Sequence, residues 1–441
     1  MLPELSCLSG GISRLKMGSR IGRITKIEAN RIEIRGLSDA ASLGDMVALK
    51  QHGADALHAE IVRIGNNTVV ALPEAAPNGV QMGDSVNLQG KMGLSPDKSW
   101  LGRVIDPKGQ PLDGRPISSG DTQRPLDTPP PSAVGRRPLG GRMATGLMAL
   151  NTLLPIVAGQ RMGLFAGSGV GKSMMLARMA QSIEADVIVV ALIGERGREV
   201  REFVQNTLGP EGMKRSVVVA ATSDTSALMR RNCAKTAMSV AEYFRDQGLQ
   251  VLFLADSITR FAEAHREIVV AAGEPANLRG FPASTAQQIM KLCERAGPGA
   301  GDNGDISAVL SVLVEGSDFE GPIADILRGV LDGHIVLNRD IAERGRYPAI
   351  DLLRSVSRSL PAAASDAENQ LIAEVRHLIS VYEKSEVMVQ SGLYAPGSDP
   401  QLDRAVKLWP ALDSFFGQAG ELSIAESFLK LRAHLAETPL G

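Results

Sequence analysis

Residues 166–173 read Ala-Gly-Ser-Gly-Val-Gly-Lys-Ser, a glycine-rich run closed by a lysine and a hydroxyl residue. Glycines at this density let successive backbone N–H groups curl around an anion, and a helix starting just after them adds its positive dipole end. The chemistry that fits is capture of a nucleotide polyphosphate. Ala166, Gly167, Ser168, Gly169, Val170, Gly171 and Met174 are expected to form the cradle, which is the phosphate-loop pattern with alanine in its first position. Lys172 supplies a point charge to the β- and γ-phosphate oxygens, and the Ser173 hydroxyl is a candidate Mg²⁺ ligand.

Two acidic positions are candidates to complete such a site. Asp256 ends the apolar run 249–255. A carboxylate at the carboxyl end of a buried strand can hold Mg²⁺; the competing role is a helix N-cap, because residues from Ser257 onward read as helical. Glu195 follows the apolar run 186–193 and is the candidate to polarise an attacking water, with Glu199, one helical turn later, as its rival. The same charged stretch, with Arg196 and Arg198, also fits a solvated helix start.

The elements that must position these residues are visible as changes of period. From about residue 20 to 88, short β-like runs at 21–28, 31–35, 45–50, 57–64 and 67–72 follow one another without an intervening helix, which predicts a small barrel or sandwich. In 31–35 the alternation is strict: Ile32 and Ile34 face one way, Arg31, Glu33 and Arg35 the other. Residues 109–138 are rich in Pro and Gly and predict an extended connector lying over a surface. Apolar runs at 161–166, 187–193, 217–221, 250–255, 306–314 and 334–337 then alternate with helical stretches such as 224–247, the pattern of a parallel sheet covered on both faces. After Pro361 the pattern is helical, most clearly in 371–390 and 426–437. The expected architecture is α/β: an N-terminal β-barrel (1–90), a connector (91–140), a core of strands and helices (141–360) and a C-terminal helical domain (361–441).

Composition narrows the function class. The formal charge is −2, from 47 Lys and Arg against 49 Asp and Glu, so no global basic excess points to nucleic acid. Cys7, Cys233 and Cys293 are odd in number and widely spaced, which supports neither a disulfide framework nor a zinc site. The first residues lack a continuous apolar segment, and the apolar runs reach only strand length, so a cytoplasmic protein is expected.

Taken together, several stretches resemble the ring ATPases related to the F1/V1 catalytic subunits, and among them the ATPases of flagellar protein export. The residues that carry the resemblance are 159–173, 192–203, 208–224, 256–268, 273–284, 326–358 and 394–406. It implies a RecA-like core between barrel and helical domain, and a homohexamer with Mg-ATP sites between subunits. It also implies that Glu195 is the water-activating carboxylate, with Arg196 beside it. Arg358 is implied as the arginine finger that reaches a neighbour's γ-phosphate, and Tyr347 as the aromatic on the adenine, with Tyr394 as a second aromatic. The implied partners are a stator-like regulator touching the segment before Arg20, a central stalk-like protein, the export gate, and export chaperones with their substrates. Location would be peripheral, at the cytoplasmic face of the inner membrane.

Related readings share these motifs. An injectisome secretion ATPase has the same site, and an F1-type synthase subunit would need a noncatalytic partner in a mixed ring. A Rho-type RNA helicase needs aromatics in its barrel for base stacking, and residues 20–90 hold no Phe, Tyr or Trp. A regulatory subunit without turnover would lack a catalytic acid and a finger, for which this chain has candidates.

Overall fold

The computed structural model describes residues 20–436 apart from residues 29, 54, 277–279, 315–320 and 421. Cys7 and the segment assigned to a stator-like partner therefore lie outside the described residues. Strands of the two principal sheets are numbered here in chain order. β1 (Ile21–Ile27), β2 (Ile32–Arg35), β3 (Asp45–Leu49), β4 (Leu57–Ile64), β5 (Thr68–Pro73) and β6 (Ser85–Lys91) close into a barrel in the order β1-β2-β5-β4-β3-β6. Alternation aims Ile24, Ile32, Ile34, Val47, Ile61 and Val69 into its interior. The sequence reading has five strands here. The sixth, β6, buries only Val86 fully among polar neighbours, yet it pairs with both β1 and β3 and so leaves no open edge.

The second sheet has eight strands: β7 (Arg103–Ile105), β8 (Arg161–Ala166), β9 (Val187–Glu195), β10 (Ser216–Thr222), β11 (Val251–Asp256), β12 (Ile306–Leu313), β13 (Gly333–Leu337) and β14 (Ile350–Ser357). Their order is β14-β13-β8-β12-β11-β9-β10-β7, parallel except for β14, which runs antiparallel to β13. This is the RecA-like core. Near-continuous Val, Ile, Leu and Ala in β9 and β11 follow from burial on both faces. Alternate residues go to opposite sides. Leu164, Val190 and Leu254 pack with helix α1 (Lys172–Ser182) and the C-terminal helices, whereas Phe165, Val189 and Phe253 pack under α2 (Ala227–Arg245), α3 (Ile258–Ala271) and α4 (Ala283–Arg295).

β7 comes from the stretch read as a connector and extends the sheet by pairing parallel with β10. The rest of that stretch is fastened down: Arg103 grips Asp113 with bonds of 2.7 and 2.8 Å, and Thr128 donates to Glu242 at 2.8 Å. Glu242 also accepts two 2.8 Å bonds from Arg295, joining α4 to α2 through an ion pair almost without solvent contact. Beyond β14 come α5 (Asp366–Gln390), opened by a Ser365/Glu368 capping box, α6 (Pro400–Gly417) and α7 (Ile424–Ala436). α6 falls in the stretch expected to be helical after Pro361, and it contains Pro410.

Candidate active site

Three of the sequence candidates follow strands that end at one edge of the parallel sheet. β8 runs into the glycine loop, β9 ends at Glu195 and β11 at Asp256. Crevices beyond the carboxyl ends of parallel strands are where such folds bind ligands. The loop geometry depends on Gly169 (φ 78°) and Gly171 (φ 95°), both in the left-handed region where a side chain is strained. Gly171 is also the N-cap of α1, and no side chain caps that turn, so its first N–H groups face the crevice as donors. A Cβ on Gly171 would meet the Tyr347 ring at 3.3 Å. That places Tyr347, 40% exposed, against the phosphate loop.

An open cleft of about 650 Å³ is lined by the loop, by Lys172, Ser173 and Met174, and by Glu195, Arg196, Glu199 and Arg260. Lys172 Nζ is the hub. It contacts Asp256 Oδ1 directly and lies 3.8 Å from Glu195 Oε1. Asp256 is buried and also accepts a 2.7 Å hydrogen bond from the Ser311 hydroxyl on β12. Burial pushes the Glu195 carboxyl up to about 8, helped by its hydrogen bond with Glu199 and the charge of Asp256, against the pull of Lys172. The same hydrogen bond lowers Glu199, so the shared proton sits on Glu195. Arg196 is exposed, 3.8 Å from Glu199.

Among the described residues no cluster of three His, Cys, Asp or Glu could cage a metal by itself. Mg²⁺ does not need one, since it is commonly held by one or two carboxylates together with substrate phosphates and water. The exposed Ser173 hydroxyl at the start of α1 and the Asp256 carboxylate are a donor set of that kind.

Two sequence candidates lie elsewhere. Arg358 follows β14; its N–H donates to the Asp332 carbonyl at 2.9 Å, and the Asp332 carboxylate accepts from Arg161 at the start of β8. The phosphate loop starts at the other end of β8, about 17 Å away at ~3.3 Å per residue. One chain therefore does not bring Arg358 to its own loop. Tyr394 hydrogen-bonds Asp403 of α6 and does not line the cleft. Conversely, Ser311 and Arg260 escaped the sequence reading. Their signals were a serine inside the apolar run of β12, and an arginine four residues after Asp256.

Residues 146–357 match the ATP synthase alpha/beta family, nucleotide-binding domain, and residues 364–433 match the T3SS EscN ATPase C-terminal domain. The chain is 42% identical over 431 residues to the flagellum-specific ATP synthase of Caulobacter vibrioides, covering 96% of this chain and 97% of that protein. The chain belongs to the flagellar and type III secretion ATPase family. Other members resemble it to similar degrees. The Salmonella typhimurium flagellum-specific ATP synthase is 43% identical, with 90% of each chain covered, and the Xanthomonas euvesicatoria type 3 secretion system ATPase 39% identical, with 98% of each covered. The assembled ATPase EscN of the enteropathogenic E. coli type III secretion system superposes with a TM-score of 0.88 at 37% identity, over 94% of this chain and 100% of that one. In this family member the nucleotide-binding match spans β8 to β14, and with it the whole cleft.

Proposed function

We propose that the chain hydrolyses Mg-ATP in this cleft, as one subunit of a homohexamer whose turnover assists flagellar protein export. The observation that carries the reading is the meeting of Lys172, Glu195 and Asp256 beside the glycine loop, at one sheet edge. The loop amides and Lys172 bind and orient the polyphosphate, which exchanges the lysine's carboxylate contact for phosphate oxygens. Ser173 and Asp256 would hold Mg²⁺, which when bound neutralises charge on the phosphate oxygens. Glu195, once ionised, orients a water and accepts its proton; Lys172, 3.8 Å away, favours the ionised form. Tyr347, against the loop, is the natural platform for the adenine.

A ring follows from Arg358. A guanidinium at the far end of the sheet reaches a γ-phosphate only if that phosphate sits on a neighbouring subunit, where it is worth about 10³–10⁵ in rate. EscN is known as an assembled ATPase and in complex with its central stalk EscO. By analogy we assign this chain a stalk-like partner, a stator-like regulator, an export gate, and chaperones with their cargo, at the cytoplasmic face of the membrane. Among the described residues no helix is long and apolar enough to cross one.

The test mixes two inactive variants. Lys172→Ala and Arg358→Ala chains each lose hydrolysis alone, and mixed rings recover part of it wherever an intact loop faces an intact arginine. Absence of recovery in mixed rings verified by native mass spectrometry refutes the shared site. The likeness to the Xanthomonas and EscN proteins favours a second reading, export through an injectisome. Loss of secretion with unchanged motility in a deletion strain selects it.

A further inference from the structure

Away from the catalytic cleft, a second cavity of about 250 Å³ opens where barrel, connector and core meet, and the two share no lining residue. Its charged lining is Glu60 and Lys91 from the barrel, Asp127 from the connector, Arg231 and Lys235 from α2, and Lys291 from α4. Four cations thus face two carboxylates.

The carboxylates are already engaged. Arg231 Nη2 is bonded to Glu60, Lys235 Nζ lies 2.9 Å from Asp127 Oδ2, and Lys291 Nζ lies 3.5 Å from Asp127 Oδ1. Arg231 is 6% exposed, and among the described residues its Nε–H has no hydrogen-bond partner. Lys235, itself 8% exposed, has its ammonium destabilised first by burial and then by the charge of Arg231. The cavity therefore has a surplus of positive charge and a wall of low dielectric, and both favour a small oxyanion.

We propose that this junction is a binding site for a phosphate-class oxyanion, which bridges the barrel and the core. Lys291 and Lys91 are its exposed cations, and Arg231 and Lys235 its buried ones. Occupancy couples the barrel to α2 and α4, because the ligand's oxygens take donors from both bodies at once. Two sources share the chemistry: inorganic phosphate, which ATP hydrolysis releases, and the phosphate group of a small metabolite.

The test uses full-length Lys172→Ala protein, in which the phosphate loop is disabled, so its outcome is independent of the catalytic reading. Isothermal titration with inorganic phosphate and, separately, with glycerol 3-phosphate is expected to show one site per chain. Lys291→Ala, at a half-exposed position, should weaken it about tenfold without altering the fold; Lys235→Met should weaken it at least as much. Tighter binding of glycerol 3-phosphate identifies a metabolite as the ligand, and equal or weaker binding identifies free phosphate. No binding of either probe, or binding that both substitutions leave unchanged, overturns the proposal.

Discussion

Ser311→Ala tests how Asp256 is held. Ser311 is fully buried on β12, and its hydroxyl donates to Asp256 Oδ1 at 2.7 Å; the carboxylate's other partner is Lys172. When a polyphosphate draws Lys172 away, the serine is the remaining group that fixes the carboxylate's rotamer. A hydrogen bond to a charged group contributes about 1.5–3 kcal/mol, which at 1.4 kcal/mol per factor of ten is about 10–100-fold. Outer partners of metal ligands lie in the same range. The loss should appear as an about 10–100-fold higher Mg²⁺ requirement in ATP hydrolysis measured against free Mg²⁺, with kcat at saturating Mg²⁺ nearly unchanged. Ser311→Thr, which keeps the hydroxyl, should restore most of it. A Ser311→Ala protein with the parental Mg²⁺ dependence and melting temperature refutes the assignment of Asp256 to the metal.

Glu195→Gln should keep ATP binding and lose about 10²–10⁴ in kcat, the usual contribution of a general base, as read by nucleotide titration alongside steady-state hydrolysis. Because the Glu195 carboxyl is pushed up to about 8, it is mostly protonated below that pH and gains its base form above it. Hydrolysis at saturating Mg-ATP should therefore climb with pH from about 7 to 9, with its midpoint near 8, and then level off; a flat profile contradicts the assignment. Tyr347→Ala should raise the KM for ATP about 5–150-fold if the ring stacks on the base, at about 1–3 kcal/mol, and leave kcat largely intact. Arg295→Met leaves Glu242 charged and buried without its main partner. That costs about 3–5 kcal/mol, or about 6–20 °C in melting temperature for a unit of this size, measured by calorimetry.

Much of this molecule was legible because its signals are local. Lys172, Ser173 and their glycines are contiguous, so the loop, its strand and its helix could be read in one pass. Asp256 and Glu195 were legible as acids ending buried strands, although Asp256 was open between holding Mg²⁺ and capping a helix, and Glu195 between activating water and a solvated helix start. Other features carry no local signature. Strand β6 is too polar to stand out, and it is a strand because β1 and β3 offer it two edges. β7 is three residues long and acquires its identity only by adding to β10.

The amino-acid order by itself determined which groups are available: a phosphate loop, two acids on the strands that follow it, and a barrel free of aromatics. Only the tertiary structure decided how they meet. Strand order puts β12 between β8 and β11, which hands Asp256 a serine from a segment 55 residues further along the chain. The antiparallel course of β14 leaves Arg358 at the opposite end of the sheet from the loop. The reason is physical: side-chain period and turn chemistry act over a few residues, whereas charge, burial and reach act across space.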